Sequence, residues 1–193
     1  MLKDPWLKRW IPALQRSAAG SVLLEIGCGA GQDTKTLLAH GFKVTAFDLS
    51  EKEVAKARVA APAASISTQS VLDKFPLEGS GIGVVIASLS LHYFAWQETV
   101  SLISRIHSTL RPGGLLLARF NSSEDINFGA TGHRSIEPGL FFVNGQPKRF
   151  FTEENINKLF GGDGWDLKNV EHFVTYKYIL PKALWEVAVE RAA

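Results

Sequence analysis

A chain of 193 residues with one cysteine, Cys28, forms no disulfide within itself and offers no pair of thiols at metal-ligand spacing. A reducing compartment, the cytoplasm, is the expectation. No uncharged apolar run reaches the ~18 residues that a membrane span needs, so no membrane association is expected. Neither sign of charge dominates either, since 21 Lys and Arg stand against 19 Asp and Glu for a net +2. That balance lacks the basic excess that pairs with a nucleic-acid backbone, so nucleic acid is not an expected partner. The first residues, MLKDPWLKRWIPALQRS, mix charge, proline and tryptophan where a secretory signal would need an apolar stretch, so no export signal is expected. His40, His107 and His172 share no ligand spacing, and no metal site is expected.

What the chain does have is a globular balance, 46% hydrophobic against 21% charged, which excludes disorder and leaves one domain over residues 1–193. Residues 5–16 place Trp6, Leu7, Trp10, Ile11 and Leu14 at helical spacing, as a docking helix or as a flap over a ligand site. The apolar run 21–26 between Gly20 and Gly27 reads as a buried strand, and 32–40 and 42–48 as the helix and strand that follow it. Ser50 with Glu53 three residues on has the spacing of a helix cap. Strands at 63–68, 82–88 and 114–120, with a helix at 98–110, continue the alternation. Such alternation implies parallel strands joined by right-handed crossovers, a doubly wound, Rossmann-like α/β fold. After Phe120 the rhythm stops for about thirty residues rich in glycine and proline, longer than an idle connection. Residues 121–151 are therefore read as a substrate loop, between a core at 20–120 and a C-terminal helix and strands at 152–193.

The loop Gly27-Cys28-Gly29-Ala30-Gly31 joins a strand to a helix, where missing β-carbons let a ligand approach the backbone and free N–H groups. Asp48 ends the second strand about twenty residues later, placed to accept ribose hydroxyls. The dinucleotide pattern would require glycine where Gln32 stands, and a buried Glu25 beside the loop would repel a pyrophosphate. The same carboxylate suits a cationic ligand or an amino group. Asp33 stands at the start of the next helix as its cap or as a neighbour of the ligand.

These segments, Val22-Leu-Leu-Glu25-Ile-Gly27-Cys-Gly29-Ala-Gly31 and Val44-Thr-Ala-Phe-Asp48-Leu-Ser50, resemble the first two motifs of class I S-adenosylmethionine-dependent methyltransferases. Ile86-Ala-Ser88-Leu-Ser-Leu-His92-Tyr-Phe and Leu110-Arg-Pro-Gly-Gly114 look like the fourth- and fifth-strand motifs, and the remaining chain is similar to the small tellurite-resistance-type branch. The resemblance implies a seven-stranded sheet of order 3-2-1-4-5-7-6 with its last strand antiparallel, S-adenosylmethionine as cofactor and methyl transfer to a small molecule. It also implies that Glu25, Gly27, Cys28, Gly29 and Gly31 hold the methionine moiety, Asp48 the ribose, Leu49 one adenine face, and Ser88 the amino group through its backbone. Ser70 and Val71 fall where the family holds the adenine edge, with Ser70 replacing the usual acid, and Gly83 replaces the acid usual at the start of the fourth strand. These two replacements leave open a binding protein without catalysis.

His92, at the carboxyl end of the fourth strand, is the candidate general base or an orienting histidine. Tyr93, His133, Arg134 and Arg149 are the candidate acceptor-binding residues, the last three as readers of an anionic group.

Overall fold

The computed structural model describes residues 6–77, Gly79 and 81–193. The expected first helix begins at Pro5, outside the described residues, and its remainder is two elements rather than one. A 3-10 turn, Trp6–Trp10, leads into α1 (Ile11–Ala18). Pro12 sits in the first turn of α1, where its missing N–H has no intrahelical partner to lose, so the α-helix starts there.

Beyond α1 the chain alternates through β1 (Val22–Ile26), α2 (Gln32–Ala39), β2 (Lys43–Asp48), α3 (Glu51–Ala60), β3 (Ser65–Thr68), β4 (Ile82–Ser88), α4 (Trp96–Thr109) and β5 (Leu110–Asn121). Ser50 caps α3 by accepting from the Glu53 N–H at 3.3 Å, so this local signal reads true. Arg111-Pro-Gly-Gly114 lies inside β5, which starts four residues earlier than the strand expected at 114–120. It forms an irregularity inside β5, where pairing jumps from Ile82↔Leu110 to Val84↔Leu115.

The long segment expected as loop contains structure of its own. A 3-10 turn, Ile126–Phe128, precedes a small antiparallel sheet of β6 (Arg134–Glu137), β7 (Leu140–Val143) and β8 (Gln146–Arg149). Its strands are four residues each, too short for alternation to be read with confidence against the surrounding glycines. After α5 (Glu153–Phe160), the strands β9 (Trp165–Thr175) and β10 (Lys182–Arg191) close the main sheet.

The main sheet has seven strands in the order β3-β2-β1-β4-β5-β10-β9. β10 runs antiparallel to both of its neighbours, and the other strands share one direction. This is the order implied above. Side chains alternate across it into two cores. Val85 and Ala87 of β4 join Leu116, Ala118 and Phe120 of β5 under α4 and α5, while Val84, Ile86, Leu115 and Leu117 face α1, α2 and α3. Each fully buried Leu, Ile, Val or Phe contributes about 1.5–3 kcal/mol of transfer free energy, an upper bound because unfolded chains are partly collapsed.

Strand order reverses between β1 and β4, and the crevice at their carboxyl ends is where open α/β sheets bind ligands.

Candidate active site

At that crevice the turn after β1 is built from its backbone. The N–H groups of Gly27 and Cys28 both donate to the Phe47 carbonyl, at 2.8 and 3.1 Å, tying the glycine loop to β2. Gly27, Gly29 and Gly31 have φ of 74, 51 and 79°, a region that disfavours any β-carbon. Two of the three are also needed for packing. A β-carbon on Gly27 would stand 2.3 Å from Ser90 Cβ, and one on Gly31 would stand 2.9 Å from Ala57 Cα. Gly29 differs, because a β-carbon there meets nothing within 4 Å and the loop opens on empty space.

Asp48 ends β2 and turns its carboxylate inward. Oδ2 accepts from the Gly29 N–H and Oδ1 from the Ser50 N–H, both at 2.9 Å, so Asp48 props the glycine loop and retains lone pairs for a ligand. Leu49 beside it is 74% exposed, an apolar side chain open to a ring face. Across the crevice, the Ser70 N–H donates to Asp73 Oδ2 at 3.3 Å and Ser70 Oγ accepts from the Leu72 N–H at 3.1 Å. Arg105 pins this turn through the carbonyls of Val71, Leu72 and Asp73.

Glu25 lies on β1 just before the loop and is buried. Its Oε2 accepts from Thr34 Oγ1 at 2.6 Å. Burial, reinforced by the charges of Asp33 and Asp48, pushes its carboxyl up to about 8, so it is mostly protonated at neutral pH. A ligand bearing an ammonium group would relieve this state. Cys28 is buried in the same loop, and its thiol is pushed up to about 12 by burial and by Glu25, which leaves it an inert packing group.

Asp33 does not cap α2. Gly31 holds the N-cap position with no side-chain cap bond, and Asp33 accepts from the indole N–H of Trp6 at 3.1 and 3.0 Å on its two oxygens. The Arg119 guanidinium lies 4.1 Å from the Trp6 ring centroid, and its Nε donates to Ser88 Oγ at 2.9 Å. The Ser88 side chain is thus already engaged. Two further residues of this corner escaped sequence reasoning. Leu89 follows β4 with φ of 56°, strained for a residue with a side chain, and Ser90 Oγ is buried without a partner. Backbone strain and an orphaned hydroxyl leave no sequence signal.

His92 and Tyr93 continue from β4 with ring centroids 4.1 Å apart. Both line a cleft of about 230 Å³ with Leu89, Asn121, Phe128, Lys148, Tyr178 and Lys182. His92 is buried, and desolvation together with the charges of Lys148 and Lys182 holds its imidazole well below the usual value, so it is uncharged at neutral pH. Burial and the nearby Asp48 charge raise the Tyr93 phenol, keeping it a neutral donor.

The three cations expected to read an acceptor stand elsewhere. His133 and Arg134 are exposed and outside the cleft lining, with the Arg134 guanidinium 5.3 Å from the Phe142 ring centroid. Arg149 is buried and spent on structure, since Nε donates to the Phe94 carbonyl at 3.0 Å, Nη1 to the Pro138 carbonyl at 3.2 Å, and Nη2 pairs with Glu137. Lys148 and Lys182 occupy the cleft instead. Lys182 acquires its place through Asp125, 57 residues away in sequence, a pairing that spacing does not reveal.

Gly83 has a structural reason. A β-carbon there would sit 1.9 Å from the Ser17 carbonyl oxygen, because α1 lies directly on β4 at this point. The family's acid has no room. Among the described residues no cluster of His, Cys, Asp and Glu suits a metal ion, and no helix is long and apolar enough to cross a membrane.

Comparison with known proteins agrees with this arrangement. The family model described as a methyltransferase domain matches residues 23–114. An uncharacterized methyltransferase of Synechocystis is 31% identical over 96 residues, covering 50% of this chain and 45% of the relative. The chain thus spans less than half the length of that curated relative. Among solved structures, an S-adenosylmethionine-dependent methyltransferase of Methanosarcina mazei superposes with a TM-score of 0.75 at 15% identity, covering 94% of this chain and 97% of that one. The 1,6-didemethyltoxoflavin-N1-methyltransferase of Burkholderia thailandensis, solved with 1,6-didemethyltoxoflavin and S-adenosylhomocysteine, gives 0.71 at 20% identity, with 97% and 78% covered. In its glycine-loop and Asp48 motifs, in the methyltransferase-domain family model matched over residues 23–114 and in its strand order, the chain is similar to class I S-adenosylmethionine-dependent methyltransferases.

Proposed function

We propose that the protein binds S-adenosylmethionine across the carboxyl ends of β1, β2 and β4 and transfers its methyl group to a small molecule held beside His92. When bound, this cofactor supplies a methyl group on a sulfonium, an electrophile that needs little further activation. The open side of Gly29, the buried Glu25 and the exposed Leu49 fit it: a close backbone approach, a partner for an amino group and an apolar ring face. Asp48 holds the ribose hydroxyls, and Ser88 with Ser90 faces the amino-acid end. Asp33 acts through Trp6, closing the N-terminal segment over the glycine loop.

The observation that carries the small-molecule reading is the cleft of about 230 Å³ on the His92 side, a size suited to a single ring system and its substituents. Its lining includes Leu89, which follows β4, and Tyr93, which feels the charge of Asp48. The protein's part in the transfer is alignment and exclusion of water, tasks suited to Phe128, Tyr178 and Tyr93. The uncharged His92 offers a ring-nitrogen lone pair to an acceptor hydroxyl or amine and positions it, burial and the charges of Lys148 and Lys182 opposing full protonation, with Tyr93 as a neutral hydrogen-bond donor.

The test is incubation with methyl-tritiated S-adenosylmethionine and a cell extract split by ultrafiltration into small-molecule and macromolecular pools. Label entering the small-molecule pool is expected. Label confined to protein or RNA contradicts the reading.

A further inference from the structure

The acceptor cleft holds two ammonium groups and no carboxylate in its lining. Lys182 is 5% exposed, and its Nζ donates to Asp125 Oδ2 at 2.9 Å while standing 4.5 Å from the Phe128 ring centroid. The other oxygen of Asp125 accepts from the Ala183 N–H at 3.3 Å, so this buried carboxylate is committed behind the wall and offsets one lysine. Among the described residues Lys148 has a carbonyl as its one hydrogen-bond partner, Phe128 O at 2.8 Å, and its Nζ lies 5.2 Å from the Phe150 ring centroid and 5.9 Å from that of Phe128. One positive charge therefore faces the cleft without an anion, half-buried beside two aromatic rings. Asn121, on the same wall, leaves Oδ1 buried and unpartnered.

A cationic acceptor would add a third positive charge to this space, and a neutral one would bury Lys148 still uncompensated, at the cost of desolvating an ammonium. An anion removes that cost and gains charge-assisted hydrogen bonds. Given the methyltransferase reading above, on which this rests, we propose that the acceptor is a small aromatic organic anion, with its carboxylate or phenolate oxygen between Lys148 and Lys182 and its ring against Phe128 and Tyr178. The cations expected from the sequence, His133, Arg134 and Arg149, take no part. Lys148 on β8 makes the small inserted sheet the element that selects the acceptor.

Burial and the charge of Lys182 bring Lys148 down to about 8, with Asp125 acting against that shift. The groups facing it are Lys182, Asp125 and the uncharged His92. Anion binding should therefore weaken as pH rises through about 8.

The test is calorimetric titration of the protein saturated with S-adenosylhomocysteine, using matched pairs: benzoate with benzamide, salicylate with salicylamide, nicotinate with nicotinamide. At least one acid should bind roughly ten-fold or more tightly than its amide, a difference of about 1.4 kcal/mol. Lys148→Met should bring that ratio close to unity without changing affinity for S-adenosylhomocysteine. Lys148→Arg should keep the ratio and abolish its decline above pH 8, because a guanidinium does not titrate there. Amides binding as well as acids, an unchanged ratio in Lys148→Met, or no binding of either compound class beside firmly bound S-adenosylhomocysteine would each overturn the proposal. Failure to bind S-adenosylhomocysteine at all would instead remove the methyltransferase reading beneath it.

Discussion

The indole N–H of Trp6 donates to both carboxylate oxygens of Asp33, at 3.1 and 3.0 Å, and so fastens the start of the chain to the first turn of α2. Arg119 lies 4.1 Å from the centroid of the same ring. The N-terminal segment docks as one of its two sequence readings expected, because Trp6, Leu14 and Ala18 all pack into the core. Trp6→Ala should weaken S-adenosylmethionine binding about ten-fold, by loss of a charge-assisted hydrogen bond and a cation–π contact. Titration calorimetry checks it, and unchanged affinity would reduce Trp6 to a packing residue.

Asp48 props the glycine loop through the N–H groups of Gly29 and Ser50, and in the proposed function it also holds the ribose. Asp48→Ala should lower cofactor affinity by about 2 kcal/mol, or roughly thirty-fold. Equal affinity for the variant and the parent protein would show that Asp48 makes no ligand contact.

Glu25 links cofactor binding to a proton. Its carboxyl is raised to about 8, so its contribution to the stability of the ligand-free protein is complete below the ordinary carboxylate range and is lost as pH rises through 8. An arriving ammonium favours the carboxylate, and binding at pH 7 should release up to about one proton. Calorimetry in buffers of differing ionisation enthalpy measures that release, which Glu25→Gln should abolish.

His92 is held uncharged by burial and by Lys148 and Lys182, so activity should show no histidine ionisation between about pH 6 and 8. His92→Ala should slow single-turnover transfer to a hydroxyl or amine acceptor about a hundred-fold and spare cofactor affinity. An equal rate would make His92 a packing residue.

Gly83→Ala should destabilise the fold by about 2 kcal/mol, because the new carbon would stand 1.9 Å from the Ser17 carbonyl and force α1 off β4. A denaturant midpoint that does not move would contradict that close contact.

How far the fold was legible follows from where its determinants lie. The β1 turn, Asp48 and the Ser50 cap follow short sequence patterns, so glycine spacing and capping chemistry gave them away even though Gly29 and Asp48 meet across 19 residues. The order of the seven strands came through resemblance, since periodicity does not say which strands adjoin. The lining of the His92 cleft was less legible, for a physical reason. Arg149 carries a charge suited to reading an anion, but Glu137 and the Phe94 and Pro138 carbonyls consume it. Lys182 looked ordinary until β10 brought it to Asp125. Gly83 reads as a lost ligand residue in sequence, whereas in space it is the point at which a helix backbone meets a strand.

The most direct measurement is a parallel calorimetric titration of the protein with S-adenosylmethionine, S-adenosylhomocysteine and NAD. A class I methyltransferase site built on Gly29, Glu25 and Asp48 predicts micromolar binding of both sulfur ligands and none of NAD. Binding of NAD, or of none of the three, would contradict it.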